Sequence, residues 1–573
     1  MTGDDTQVML HQALQKHQAG DLTGAAPLYQ QVLKASPQHP DALNLLGFLL
    51  HQAGKSAEGL KLVDAAIAIA PQQASFRSNR ARILHHLGKH ENADAAFRMA
   101  LTLDPSDPIA VQDLAAARRA NGRVVAAAPL FRHLLSLSPA DPAALLAEAT
   151  SRIDLGHHDA ARTLLRKCLV TAPALIEATN SYAFLGITAL TFDEARRWFR
   201  RTITAQPRYA APYSGLAELY YLEGDIDACL NASEQAIALA PNDPQIQVRH
   251  SMRLLTAGHI KDGWRNFEWR LKRSDAVRRP GLPPRWQGEP LAGKRMLVCA
   301  EEGVGDEILY ASMIPDLLSA NASVVIECAP RLLEVFQRSF PDCVVHAYTR
   351  SGDRFRPAHD YNWLPQDPPV NFAIAGGSLP ALLRPDIASY EHQRPYISAS
   401  PERVRDMEQK LAALPPGPRI GFAWRSKDVN PFRDLHYTRL QDWQSLLTEP
   451  GLQLVSMQYG SGWEREISDA RQEFGARLHV LEGVDMTNDF EDIFALAASV
   501  DCLICPSSTL AWVGGSLGKP VWKFGIDPIF LRLGTERFPG FPSLKGFLKL
   551  AGAPWKQVTN AVTAEARALR ASL

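Results

Sequence analysis

Residues 37–71 read PQHPDALNLLGFLLHQAGKSAEGLKLVDAAIAIAP, two apolar helical stretches joined at Gly54 and closed by a proline. The proline recurs at Pro37, Pro71, Pro105, Pro139, Pro173, Pro207 and Pro241, always 34 residues apart. A proline cannot continue an i to i−4 ladder, so each one ends a helix and opens the next unit. Turn glycines keep the same register at Gly20, Gly54, Gly88, Gly122, Gly156, Gly224 and Gly258, with Leu190 the single exception. A left-handed residue is needed where the first helix of a unit turns into the second, and glycine takes that conformation without a Cβ clash. Small residues repeat in the first helix (Ala13, Gly47, Ala81, Ala115, Ala149, Ala183, Ala217, Ser251) and in the second (Ala25, Gly59, Ala93, Ala127, Ala161, Ala195, Cys229, Gly263). They belong where two helix axes pass closely. The pattern predicts about eight helix pairs over residues 6–273.

A period of 34 with this layout resembles the tetratricopeptide repeat, which implies an all-α superhelical solenoid. Its extended concave surface suits a peptide or a helical protein better than a small molecule. The full 573 residues are too long for one core. Lys plus Arg and Asp plus Glu both number 61, so no net charge favours nucleic acid or anionic lipid. Cys502 and Cys505 form the one C-x-x-C pair among seven cysteines, inside the apolar run DCLIC. That run reads as a buried strand with reduced thiols rather than a zinc or disulfide site. The start MTGDDTQVML lacks a basic and apolar leader, and no long apolar run follows. A cytoplasmic protein without a membrane segment is expected.

The period changes after residues 274–294, SDAVRRPGLPPRWQGEPLAGK, which read as a linker. Short apolar strands then alternate with helices: 296–300, 324–327, 343–346 and 372–375, then 420–424, 452–456, 479–481, 502–505 and 520–524. Such alternation predicts parallel, doubly wound sheets in two α/β halves, 295–400 and 401–573. Ligands of such sheets sit beyond strand carboxyl ends, near helix N-termini.

Four segments in this order carry a resemblance: GVGDEILYASMIPDL (303–317), RIGFAWRS (419–426), LVSMQYG (454–460) and DCLICPSSTLAWVGGSLGKPVW (501–522). They resemble the glycosyltransferase-B (GT-B) fold, and within it the heptosyltransferase-like family 9, especially bacterial members fused to tetratricopeptide repeats. GWRNFEWR (263–270) and FPGFPSLKGF (538–547) also recur in such fusions. The resemblance implies a two-lobed catalytic region, an inverting reaction without metal or cofactor, and a nucleotide-activated sugar as donor.

Gly303 and Gly305 allow a tight turn against a substrate, and Asp306 follows at a helix start. By its likeness to the heptosyltransferase motif, Asp306 is the general base, with Glu301 and Glu302 as neighbouring substitutes. The alternative is that Asp306 only caps the helix. Ser507, Ser508 and Thr509 precede LAWVGGSLG and bring three hydroxyls to a helix N-terminus, as a phosphate cradle requires. Arg425, Lys427 and Arg433 lie on one loop and are candidates to neutralise a leaving phosphate, or else form a solvated basic loop. Gln458 and Tyr459 end a strand and are candidates for the base or ribose. Trp512 stacks on a base or sugar, or fills the core.

Family relatives carry Asp or Asn before Thr in this loop, and His where Trp512 stands. That departure weighs against a nucleoside-diphosphate heptose. Paired serines at a helix start also occur in transferases of CMP-linked nonulosonic acids. The resulting expectation is a protein O-glycosyltransferase acting on Ser or Thr, with flagellin as acceptor and a CMP-nonulosonic acid as donor. UDP-, GDP- or ADP-linked sugars, a lipopolysaccharide acceptor, and a repeat adaptor with an inactive transferase region are the alternatives.

Overall fold

The computed structural model describes residues 3–352, 357–364, 368–391, 393–426 and 431–572. Sixteen α-helices run from Gly3–Gln18 to Ile260–Phe267, the eight pairs that the period predicts. Each second helix stops just before its proline: Leu22–Ala35 before Pro37, Ser56–Ile69 before Pro71 and His90–Leu103 before Pro105. All seven turn glycines have φ between +66° and +85°, and Leu190 takes the same left-handed region at +57°. The turn is therefore set by the repeat packing, and Leu190 bears the Cβ strain that glycine avoids.

The chain divides into two compact units, Met1–Tyr182 and Ala183–Leu573. In the first, paired helices meet on small residues. A Cβ on Gly59 of the helix Ser56–Ile69 would lie 2.3 Å from the Gly47 carbonyl oxygen of the helix Pro40–Gln52. Buried Tyr29, Val32, Leu46, Val63 and Phe97 fill the space around such contacts. Asp107 and Asp141 cap their helices, Asp107 accepting from the Ile109 N–H (2.9 Å) and the Ala110 N–H (3.2 Å).

The second unit holds the remaining repeats and the α/β region. Its first sheet is parallel in the order β3-β2-β1-β6, with β1 Arg295–Cys299, β2 Ser323–Cys328, β3 Val344–Ala347 and β6 Phe372–Ala375. Two short strands, β4 (Arg350–Ser351) and β5 (Ala358–His359), pair antiparallel. The second sheet is parallel in the order β11-β10-β9-β7-β8: β7 Arg419–Phe422, β8 Gln453–Ser456, β9 Cys502–Cys505, β10 Val521–Ile526 and β11 Leu544–Lys549. Side chains alternate across it. Ile420, Phe422, Ile504, Trp522 and Phe524 face Trp443 and the helix Trp555–Ser572, while Val455, Leu503, Cys505 and Val521 face the opposite core. Cys502 and Cys505 are both buried.

Two expected segments differ. Residues 479–481 form no strand; His479 makes one isolated bridge to Val455. The segment 274–294 is tied down: the Trp286 N–H donates to the Ala373 carbonyl (3.0 Å) and the Ala373 N–H to the Pro284 carbonyl (2.9 Å). Trp286 is buried there, so proline and glycine mark an irregular sheet edge rather than a loose tether. Within this unit Phe199, Leu219 and Leu222 of the repeats share a core with Ile526 at the end of β10.

Candidate functional site

In each sheet the chain order reverses beside the first strand: β1 lies between β2 and β6, and β7 between β8 and β9. At such a switch point the connections diverge and open a crevice beyond the carboxyl ends. The loop after β1 is Glu301–Gly303, followed by the helix Val304–Ala311; the loop after β9 is Pro506–Ser508, followed by the helix Thr509–Ser516. These two helices approach at Gly305, where a Cβ would lie 3.0 Å from Thr509 Oγ1 and 3.4 Å from Trp512 Cδ1. A larger residue at 305 would push them apart.

The crevice is a cavity of about 700 Å³. Its lining includes Gly303, Gly305 and Asp306 from one side and Arg433, Tyr459, Ser507, Ser508, Thr509 and Trp512 from the other. These residues are scattered over more than 200 positions of sequence, and the fold brings them together.

Asp306 sits in the first turn of its helix, is exposed, and lines the cavity. No side chain caps that helix. The enclosing protein raises the Asp306 carboxyl to about 6, helped by the negative charge of Glu301 and opposed by Arg270 and Arg433. A carboxyl at that level is ionised at pH 7 yet basic enough to accept a proton. The Glu302 carboxyl is also raised by the surrounding protein, with Arg273 pulling it back, and it does not line the cavity.

Ser508 is the N-cap residue of the helix Thr509–Ser516, with extended backbone (φ −145°, ψ 173°). It is 9% exposed, and its Oγ has no hydrogen-bond partner among the described residues. A buried hydroxyl left unpaired costs stability, and this one lines the cavity. Beside it lies the positive end of an eight-residue helix, where the Ala511 N–H donates to the Ser508 carbonyl (3.0 Å) and no side chain caps the first turn. Trp512 fills the core, 8% exposed and tilted on Phe541 at 5.2 Å, and it also lines the cavity.

Arg425 is turned away from the cavity. It grips Glu466 through Nη2 (2.7 Å) and Nε (3.1 Å) and donates to the Ser461 carbonyl (2.8 Å). Gln458 is buried and braces strand ends, accepting from the Trp424 N–H (3.0 Å) and donating to the carbonyls of Arg425 and Tyr459 (both 2.9 Å). It borders a smaller cavity of about 160 Å³ with Trp463, Met486 and Thr487. Lys427 lies outside the described residues.

Sequence reading missed several lining residues. Arg331 stacks over Phe490 at 5.3 Å and donates to the Thr487 carbonyl (2.9 Å). His436 is pushed down to about 4 by burial and then by Lys523, which leaves a neutral imidazole in the wall. Tyr221, from the repeat helix Ala210–Glu223, reaches the same cavity and donates its hydroxyl to the Pro528 carbonyl (3.0 Å). Nothing in a repeat pattern marks one tyrosine as part of a distant cavity.

Comparison with known proteins agrees with the helical half. Models of the tetratricopeptide repeat match residues 16–83 and 74–107, and the chain carries such repeats. A curated relative, Protein FlbA of Caulobacter vibrioides, is 31% identical over 390 residues, 65% of this chain and 64% of FlbA. The match spans less than two thirds of that relative's length. Among solved structures, a tetratricopeptide repeat protein from Parabacteroides merdae is 16% identical, covering 44% of this chain and 100% of its own, with a TM-score of 0.36. The Cut9–Hcn1 hetero-tetramer of the APC/C is 13% identical over 42% of this chain and 48% of its own, at 0.37. YrrB, described as a TPR protein with an unusual peptide-binding site, is 20% identical over 32% and 94%, at 0.28. No helix among the described residues is long and apolar enough to cross a membrane.

Proposed function

We propose that this chain is a GT-B glycosyltransferase whose repeats bind an acceptor protein and whose α/β region transfers a sugar to its Ser or Thr hydroxyls. One observation carries the reading: Asp306 and the unpartnered Ser508 hydroxyl open onto the same cavity, each at the start of a helix, one from each sheet. The pair divides the labour of a single displacement. Asp306 accepts the proton of the acceptor hydroxyl, and the freed oxygen attacks the anomeric carbon. The bond from that carbon to the phosphate oxygen breaks, and the nucleotide leaves with its electron pair. Ser508 and the N–H groups of the helix start meet the developing charge on the phosphate. Inversion at the sugar carbon follows from one displacement. Arg433 and Arg331 add positive charge along the same wall.

A CMP-nonulosonic acid is the favoured donor, because the Ser507-Ser508 pair offers a compact cradle for a single phosphate. Flagellin is the favoured acceptor, on the likeness to repeat-transferase fusions. Tyr221 supports delivery of the acceptor from the repeats, since it puts a repeat side chain into the cavity wall. Calorimetric titration with CMP, UDP, GDP and ADP tests the donor side. The reading expects CMP to bind wild-type protein and to bind Ser508→Ala far more weakly. Binding of UDP, GDP or ADP in its place moves the donor to a nucleoside-diphosphate sugar, and binding of none contradicts the reading.

A further inference from the structure

The segment GWRNFEWR, residues 263–270, ends the repeat array and contributes no residue to the cavity lining. It spans the end of the helix Ile260–Phe267 and the start of the 3-10 turn Glu268–Lys272. Trp264 is buried, donates from Nε1 to the Tyr390 hydroxyl (3.1 Å) and meets the Tyr310 ring edge-on at 6.4 Å. Tyr310 lies one turn beyond Asp306 on the same helix. Arg270, 9% exposed, rests on the Phe267 ring at 4.8 Å.

Its guanidinium is aimed at the loops that follow β1 and β6. Nη2 donates to Glu301 Oε1 (2.7 Å) and Ser378 Oγ (3.1 Å), and Nη1 to Glu268 Oε1 (3.2 Å). Glu301 Oε1 also accepts from the Gly377 N–H (2.7 Å). The room is made by glycine: a Cβ on Gly377 would lie 2.9 Å from Arg270 Nη2, 3.0 Å from Glu301 Oε1 and 3.0 Å from the Tyr310 ring. An ion pair this deep needs several partners to offset desolvation, and the fold supplies them from both sides of the switch point.

We propose that Arg270 is a positioning residue for Asp306: by holding Glu301 and Ser378 at the switch point, beside the Tyr310 ring on the same helix as Asp306, it couples the end of the repeat array to the seat of the base. The inference rests on the reading of Asp306 as the base. Among the described residues, the titratable groups that act on Asp306 or are acted on by it include Glu301, Glu302, Glu307, Tyr310, Arg270 and Arg433. Glu301 raises the Asp306 carboxyl and Arg270 lowers it, with Glu301 the stronger. Desolvation is the larger cause of the raised carboxyl, and the two partners act on it in opposite directions, so damage to either member is felt at the base.

Direct titration of Asp306 tests this without using activity. Full-length protein is labelled with ¹³Cγ-aspartate, and the Asp306 signal is assigned by its loss in Asp306→Asn. Glu301→Gln is isosteric and removes the negative charge while leaving Arg270 in place, and both changes push the Asp306 midpoint down. Adding Arg270→Met to Glu301→Gln removes the unpaired cation and brings the midpoint part of the way back up. Melting curves establish that each variant is folded. A purely structural role changes the melting temperature and leaves the midpoint where it is in wild type; that result in folded Glu301→Gln overturns the proposal, and it also does so if the double variant fails to fold. If the midpoint moves and the acid limb of transfer does not follow it, the coupling stands and the reading of Asp306 as base falls.

Discussion

Replacing Ser508 by alanine should move stability and affinity in opposite directions. In the unliganded protein the Ser508 Oγ is buried, caps nothing and bonds to no described residue. Leaving such a hydroxyl unmet costs about 1–3 kcal/mol, and alanine removes that cost without losing a cap bond. Ser508→Ala should therefore be as stable as wild type or more stable, by about 1 kcal/mol, in a denaturant titration. Under the proposed reading, the same hydroxyl donates to a charged phosphate oxygen when nucleotide binds. A charge-assisted bond of that kind contributes about 1.5–3 kcal/mol, so the Kd for CMP should rise by roughly 10- to 150-fold. The assay is a pair of measurements on one preparation, a denaturation midpoint and a calorimetric titration. A variant that loses stability while binding CMP as before would refute the reasoning, because Oγ would then be serving a partner inside the protein.

Other expectations follow the same geometry. Gly59→Ala places a methyl 2.3 Å from the Gly47 carbonyl oxygen. Overpacking of about 1–3 kcal/mol should outweigh the helix-propensity gain of about 1 kcal/mol, visible as an earlier loss of helical circular dichroism in urea. Arg425→Ala breaks the contact with Glu466 and should cost about 1 kcal/mol while changing CMP affinity less than about twofold; a large loss of affinity would return Arg425 to the phosphate. Lys523 is fully buried, 5.0 Å from the Phe538 ring, and desolvation lowers its amine from 10.5 to about 8. Between those values the unfolded chain binds a proton that the folded chain does not, so stability rises with pH across that window, by about 3 kcal/mol at most. Lys523→Met should flatten that rise in denaturation midpoints measured from pH 7 to 10. An unchanged slope would mean that the amine is ionised where it lies.

The sequence exposed the parts of the fold that depend on local chemistry. Prolines and turn glycines are needed wherever a helix pair closes, so their period is visible without a structure. Gly303, Gly305, Asp306 and Ser507–Thr509 were legible because a switch-point loop must turn tightly after an apolar strand. Arg425 misled for a physical reason: its partner Glu466 lies 41 residues on, and a cation at a strand end looks the same whether it faces a ligand or a neighbouring carboxylate. Tyr221 and Arg331 reach the cavity by tertiary packing alone. The strand expected at 479–481 is apolar enough to pair, yet only His479 comes into register with β8. The tie between 274–294 and β6 is equally hidden, because an irregular edge strand and a linker share proline and glycine.

The account stands most directly on a transfer reaction. Purified protein is incubated with a CMP-activated nonulosonic acid and unmodified flagellin at pH 7, and intact masses are recorded for wild type and Asp306→Asn. Wild type should add whole sugar residues to flagellin and release one CMP for each, with kcat/KM falling about tenfold per pH unit below the Asp306 midpoint, and Asp306→Asn should add none. Equal transfer by Asp306→Asn, or no mass gain with CMP-, UDP-, GDP- or ADP-linked donors, would contradict it.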